Sequence, residues 1–189
     1  MSGLVDLDKQ IFLGLNQLHT SWLDPAMMWI SGNLIWVPLY AFLLFQLGKL
    51  PRTQLIMALL CLVVGITLSD QLTSGILKPL IGRPRPSWDP VISSLVHTVD
   101  GYRGGHFGFP SSHAANTFCT ATLITCVLRV QWVYGLFLWA ALVSYSRIYL
   151  GVHYPGDILV GAIIGCLCGF LSFRLYKAVC GRLSTHRHA

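Results

Sequence analysis

Apolar residues along this chain recur in long runs, separated by short stretches where charge, Gly and Pro gather. The opening run is different. Over residues 5–18, Leu7, Ile11, Leu15 and Leu18 fall at helical spacing while Asp8, Lys9 and Asn16 lie elsewhere around the helix. That pattern predicts an amphipathic helix lying in a membrane interface rather than crossing it. Residues of about 22–47 are apolar but interrupted by Pro25, Gly32, Asn33 and Pro38. A crossing takes roughly 20 mostly apolar residues, so one transmembrane helix is expected here. Further apolar helices are expected at about 53–77, 111–128, 132–150 and 155–179, the last opening on Pro155 as helix starts favour. Residues 78–110 form a polar, Gly- and Pro-rich stretch without periodicity, and ordered connections of that length usually carry a function.

Composition turns these runs into a membrane protein. Of 189 residues, 54% are hydrophobic and 11% charged, too few polar groups to cover a soluble domain. The expected fold is an all-α integral-membrane helical bundle, a single domain over 1–189, with about five to six crossings and the N-terminal amphipathic helix. The net charge of +6 sits in short clusters between apolar runs rather than in a stripe with interleaved aromatics. This points to membrane flanks and away from nucleic acid. The six cysteines lie in or at the end of apolar helical runs with no CxxC pair, and read as small buried residues. With Asp6, Asp8 and Lys9, then Asn16 and His19, near the start no cleavable leader is expected, and the His186-Arg187-His188 tail is too short and mixed for a metal site.

Counting about five crossings puts residues 78–112 and 149–155 on one side with the N-terminus. Lys49, Arg52, Arg129, Lys177, Arg182 and Arg187 fall on the other, with Arg174 nearby. The basic side is expected to be cytoplasmic, so the polar loops face outward. A sixth crossing near the N-terminus would move only the N-terminus.

Three clusters share that outward side. They are Lys78-Pro79-Leu80-Ile81-Gly82-Arg83-Pro84-Arg85-Pro86, Phe109-Pro110-Ser111-Ser112-His113, and Ser146-Arg147 continuing to His153-Tyr154-Pro155-Gly156-Asp157. Their chemistry converges on phosphate. Lys78, Arg85 and Arg147 supply point charge and planar fork donors. Ser111 and Ser112 stand at a helix start, where hydroxyls and free N–H groups hold anions. His113 and His153 offer a nucleophile and a proton donor. Asp157, one turn after His153, can orient its ring. Taken singly, each part has an ordinary explanation: basic residues such as Arg83 or Arg103 reaching for headgroups, Pro-Ser-Ser as a helix cap, a lone His–Asp hydrogen bond. A zinc site using His113, His153 and Asp157 is opposed by three neighbouring cations. The conjunction is what points to catalysis.

The spacing Lys-x6-Arg-Pro, Pro-Ser-x-His and Ser-Arg-x5-His-x3-Asp resembles the signature of the type 2 phosphatidic acid phosphatase (PAP2) superfamily. The resemblance implies that His153 is the nucleophile, forming a phosphohistidine, with Asp157 its orienting partner and His113 the general acid. Lys78, Arg85, Ser111, the Ser112 backbone and Arg147 would bind phosphate, and no metal or other cofactor would be needed. Ser112 departs from the pattern, which commonly has Gly before its His.

Asp70, Ser74 and Lys78 form one stripe on the expected second helix. An acid inside a membrane helix usually has a partner, so Asp70 is expected either to support the site from behind or to cap or bridge helices. Trp88, Tyr102, Phe107 and Phe109 are candidates for shaping lipid access or anchoring at the interface. The expected reaction is hydrolysis of a lipid phosphate or pyrophosphate. Undecaprenyl pyrophosphate leads, followed by phosphatidylglycerophosphate, phosphatidate and lipid A phosphates, since a soluble ester would not require a membrane enzyme. A vanadate-dependent haloperoxidase is disfavoured because that type resembles soluble proteins. A non-catalytic lipid-phosphate binder or transporter would need the cations but not the two histidines and Asp157.

Overall fold

The computed structural model describes residues 2–185, with side chains described for 3–181. The tail 186–189 lies outside the described residues, as do the side chains of Arg182 and Arg187. All regular structure among the described residues is helical. Helix α1 spans Ser2–Asn16 and α2 spans Asp24–Ser31; a 3-10 turn at Leu34–Trp36 leads into α3, Val37–Leu47. Helix α4, Arg52–Asp70, continues through a widened π segment, Gln71–Leu77, into α5, Lys78–Ile81. After the long loop come α6, Ser112–Leu128, α7, Gly135–Tyr149, and α8, Pro155–Thr185.

Among the described residues, two helices are long and apolar enough to cross a membrane, Arg52–Ile81 with 30 residues and Pro155–Gly181 with 27, and a third crossing is present if the bent pair Asp24–Ser31 and Leu34–Leu47 is one span. Residues 22–47, expected as one crossing, are instead two helices bent by 72°. The break falls at Gly32–Asn33, where Gly32 leaves the helix in an extended conformation (φ −78°, ψ 162°). Helices α6 and α7 have 17 and 15 residues, shorter than a full crossing of roughly 20; α6 packs inside the bundle, while α7 keeps an outer face with Leu138 and Leu142 exposed. Exposed side chains such as Val63 on α4 and Leu159, Ile163 and Leu167 on α8 give the bundle an apolar outer surface.

The α6–α8 pair sets the position of everything that follows. A Cβ on Gly161 would stand 2.4 Å from the Ser111 carbonyl oxygen, on Gly165 2.2 Å from that of Ala115, and on Gly169 2.6 Å from that of Cys119. Small residues four apart let two backbones approach closely, as membrane helices do when apolar lipid gives no hydrophobic drive to pack. The seam ends at the site, where the Ser111 N–H donates to the Asp157 carbonyl at 2.9 Å.

Helix α1 faces the protein with a mixed polar and aromatic side. Phe12 and Asn16 are fully buried, whereas Leu7, Ile11 and Leu18 are exposed. The Asn16 amide donates to the Ile148 and Tyr149 carbonyls at 3.1 and 2.8 Å, tying α1 to the end of α7. Most of the apolar stripe read from the sequence is therefore outward, while Leu15 turns inward and the docking face combines Phe12 and Leu13 with the polar Asp8, Lys9 and Asn16.

Candidate active site

The 78–110 loop folds back over the ends of α7 and α8. Gly82, at φ 62°, stops α5 by donating its N–H to the Lys78 carbonyl, a left-handed position that glycine adopts freely. Each of Arg83 and Arg85 flanks Pro84, and residues before proline favour extended backbone. The segment pairs with 106–108: Arg85 N–H donates to His106 O at 3.0 Å and Gly108 N–H to Arg83 O at 2.9 Å. In extended chain, residues two apart point the same way, so both guanidinium groups face the start of α8. Ser87 N–H donates to Gly151 O at 3.1 Å, joining the first cluster to the third.

Here the three clusters meet. His153 is 1% exposed, and its Nδ1 lies 3.3 Å from Asp157 Oδ2. That oxygen also accepts from the Tyr154 backbone N–H at 3.0 Å. With Nδ1 turned toward the carboxylate, Nε2 is the ring nitrogen left to react. Burial, then the charges of Arg85, Arg147 and Lys78, hold the His153 imidazole well below its ordinary range, so it stays neutral at pH 7. A neutral ring is what a nucleophile requires.

Each cation is held differently. Arg85 is buried, its Nε donating to Phe107 O at 3.1 Å, and burial and Arg147 lower its ordinary value. Arg147, also buried, donates through Nη1 to Ser31 Oγ and through Nη2 to the Tyr102 hydroxyl at 3.0 Å. Its Nε has no acceptor among the described residues, leaving a donor for an oxyanion. Lys78 is half-buried at the start of α5. Gly108 fits between Arg85 and Asp157 only because it has no side chain: a Cβ would stand 3.0 Å from Arg85 Cγ and 3.1 Å from Asp157 Oδ2.

The second cluster divides. Ser111 is buried as the N-cap of α6, its hydroxyl accepting from Ala114 N–H at 3.4 Å, so that oxygen is engaged in capping. Ser112 and His113 line a cavity of about 460 Å³. Positive φ among described non-glycine residues is confined to Asp100 and Arg129, so Ser112, where the pattern commonly has Gly, sits without backbone strain. The cavity starts among Ser112, His113, Asp70 and Asn116 and runs inward to Leu43, Leu47 and Ile124. The bent α2–α3 pair forms one wall, with Trp36 and Tyr40.

Asp70 therefore lies beside His113 rather than behind His153. Its Oδ1 accepts from Ser74 Oγ at 3.3 Å and from the Asn116 amide at 3.5 Å, a bridge between α4 and α6. Arg83, read from the sequence as a residue reaching for headgroups, instead donates to Asp157 Oδ1 at 2.9 Å and to Asp8 Oδ2 at 2.8 Å. Ser31 and Asp8 were not legible as neighbours of the site, and Tyr102, a candidate for lipid access or anchoring, instead accepts from Arg147. No cluster of three or more His, Cys, Asp or Glu side chains with metal-binding geometry occurs among the described residues.

A family model described as PAP2 superfamily matches residues 55–179. A lipid A 4'-phosphatase of Bacteroides thetaiotaomicron is 43% identical over 188 residues, covering 96% of this chain and 82% of the relative. An undecaprenyl-diphosphatase of Sulfolobus acidocaldarius is 27% identical over 177 residues, covering 90% of this chain and 79% of the relative. The crystal structure of a transmembrane PAP2-type phosphatidylglycerolphosphate phosphatase from Bacillus subtilis superposes with a TM-score of 0.70 at 25% identity, covering 95% of this chain and 89% of that one. The fold, the three clusters brought to one end of the bundle and these similarities agree: the chain belongs to the PAP2 superfamily and is an integral-membrane lipid phosphatase.

Proposed function

We propose that the protein removes the 4'-phosphate of lipid A through a phosphohistidine on His153, without a metal, at the outward face of the bacterial inner membrane. The observation that carries the reading is the cavity that begins at His113 and continues into the apolar interior. A phosphate held by Lys78, Arg85, Arg147 and the start of α6 would sit against His153, with hydrocarbon directed inward. The 43% identity to a lipid A 4'-phosphatase, against 27% to an undecaprenyl-diphosphatase, favours a monoester on lipid A over the polyprenyl pyrophosphate expected from sequence. Lys49, Arg52, Arg129 and Lys177 lie at the ends of their helices away from the site, which supports an outward-facing site by the positive-inside rule.

In this reading the Nε2 lone pair of His153 attacks phosphorus. The P–O bond to the lipid breaks, its electron pair stays on the lipid oxygen, and His113, kept protonated by the negative charge of the bound phosphate against the pull of burial and the nearby cations, gives that oxygen a proton. Water then attacks the phosphohistidine and yields a proton to His113. The P–N bond returns its pair to the ring, and inorganic phosphate leaves. Asp157 balances the positive charge that builds on His153 in both steps.

The test is phosphate release from lipid A and from undecaprenyl pyrophosphate by detergent-purified protein in EDTA, for wild type and His153→Ala. Faster release from lipid A that vanishes in the variant is expected. Preference for the pyrophosphate would restore the polyprenyl reading; no release from either lipid by folded protein would refute the catalytic one.

A further inference from the structure

We infer that Arg83 and Asp8 form a positioning pair for the reaction at His153, and that the N-terminal helix thereby belongs to the catalytic apparatus. The inference rests on the reading of His153 as nucleophile.

The two oxygens of Asp157 are used separately. Oδ2 meets His153 Nδ1 at 3.3 Å, while Oδ1 accepts from Arg83 Nη1 at 2.9 Å. Arg83 thus holds the oxygen that the histidine does not, and prevents the carboxylate from swinging about its last bond. The guanidinium is itself fixed: its Nη2 donates to Asp8 Oδ2 at 2.8 Å, and its carbon lies 4.0 Å from the centre of the Tyr154 ring. The other oxygen of Asp8 accepts from the Gly156 N–H at 2.8 Å, beside Asp157 in the chain. The next residue on α1, Lys9, pairs with Asp89 at 2.7 Å, and Asp89 accepts from the Tyr154 hydroxyl at 2.9 Å. Adjacent residues on α1 therefore grip the segment that carries His153 and Asp157 through two charged bridges.

Charge explains why a second carboxylate is present. Asp157 is fully buried, and a buried carboxylate needs a counter-cation to stay ionised. Arg83 supplies it, but a further cation near His153 would add to the three already acting on that ring. Asp8 offsets it. The Asp8–Arg83–Asp157 group keeps one net negative charge, ready to balance the imidazolium formed when His153 is phosphorylated. Asp8 is thus expected to matter less than Arg83 but in the same direction.

The experiment is rapid-quench measurement of phosphohistidine formation in detergent-purified full-length protein with lipid A, alongside melting curves. Wild type is expected to accumulate the intermediate; if it does not, the nucleophile reading fails whatever Arg83 does. Given the intermediate, Arg83→Gln is expected to slow its formation about 10- to 100-fold, as loss of an orienting partner does, with KM held within about twofold. Asp8→Asn is expected to slow it less. Guanidinium ion at millimolar concentration is expected to restore part of the rate in Arg83→Ala, and Arg83→Lys to recover part without addition. The inference is overturned if Arg83→Gln folds and forms the intermediate at the wild-type rate. It is equally overturned, should Arg83→Gln not fold, if Arg83→Lys keeps the wild-type rate and Asp8→Asn alters only the melting temperature.

Discussion

The two histidines stand at neighbouring helix starts among the same cations, but they are held differently. His153 is almost wholly enclosed, its Nδ1 facing Asp157, which is in turn held by Arg83 and the Tyr154 backbone. His113 is partly buried on the wall of a cavity that Asp70 and Asn116 also line, with no side-chain partner fixing its ring as Asp157 fixes that of His153. The protein has fixed one ring in every direction and left the other open to whatever enters. That division suits a reaction in which one group must meet phosphorus at a set angle, while the other must follow the oxygen of a bulky lipid.

The largest expected effect comes from removing the fixed ring. His153→Ala should abolish turnover and phosphohistidine formation together, read by phosphate release and alkali-quenched labelling. Removing the open ring should do less. His113→Ala is expected to slow lipid hydrolysis about 10²- to 10⁴-fold, the usual span for a lost proton donor. The loss should shrink on p-nitrophenyl phosphate, whose leaving group departs without a proton. Equal losses on both substrates would erase the distinction between the two sites.

A substitution in the helix seam should disturb both histidines at once. Gly165→Ala puts a Cβ 2.2 Å from the Ala115 carbonyl oxygen. The helices must part, at about 1–3 kcal/mol by the usual cost of overpacking. Melting curves would show the loss, and activity should fall on lipid and aryl substrates alike.

A milder probe is pH. Burial lowers the His153 imidazole below its ordinary value, so the unfolded chain binds more protons than the folded one below roughly pH 6.5. Stability should be fully present above that pH and decline as the solution is acidified. Nitrogen-15 histidine spectra should show His153 still neutral where free histidine is half protonated. A ring titrating at or above its ordinary value would mean that the enclosure is incomplete. The smallest effect is expected at Arg103, an exposed residue stacked on Trp88 at 5.3 Å, where Arg103→Ala should change stability by less than about 0.5 kcal/mol.

Much of this contrast was legible in the sequence, because the residues concerned sit at fixed spacings on helix ends. His153 and Asp157 are one turn apart, and Ser111 to His113 open a helix, so their neighbourhood follows from counting crossings. Arg83 was misread because its partner, Asp8, is 75 residues away and joins it only when α1 docks. A signal was present: Arg-Pro-Arg in extended backbone sends both side chains the same way, so a role for Arg85 implied a nearby place for Arg83. The bend at Gly32–Asn33 was legible as an interruption but not as an angle, since the cavity that α2 and α3 wall is completed by three other helices, α4, α6 and α7. The π segment is similar. Gln71–Leu77 has an ordinary helical sequence, and only the geometry shows the widened turn between Asp70 and Lys78.

The three glycines of α8 carry one more implication. Where helices meet through side chains, rotamer changes cushion any displacement, and a shift at one end fades before it reaches the other. Along Gly161, Gly165 and Gly169 there is no such cushion, because main chain rests directly on main chain. The pair has low mechanical compliance. Stress that the bilayer exerts at the far ends, from thickness or curvature, would thus reach the spacing between His113 and His153 with little attenuation, and on the roles proposed for them the catalytic rate would register the membrane around the enzyme.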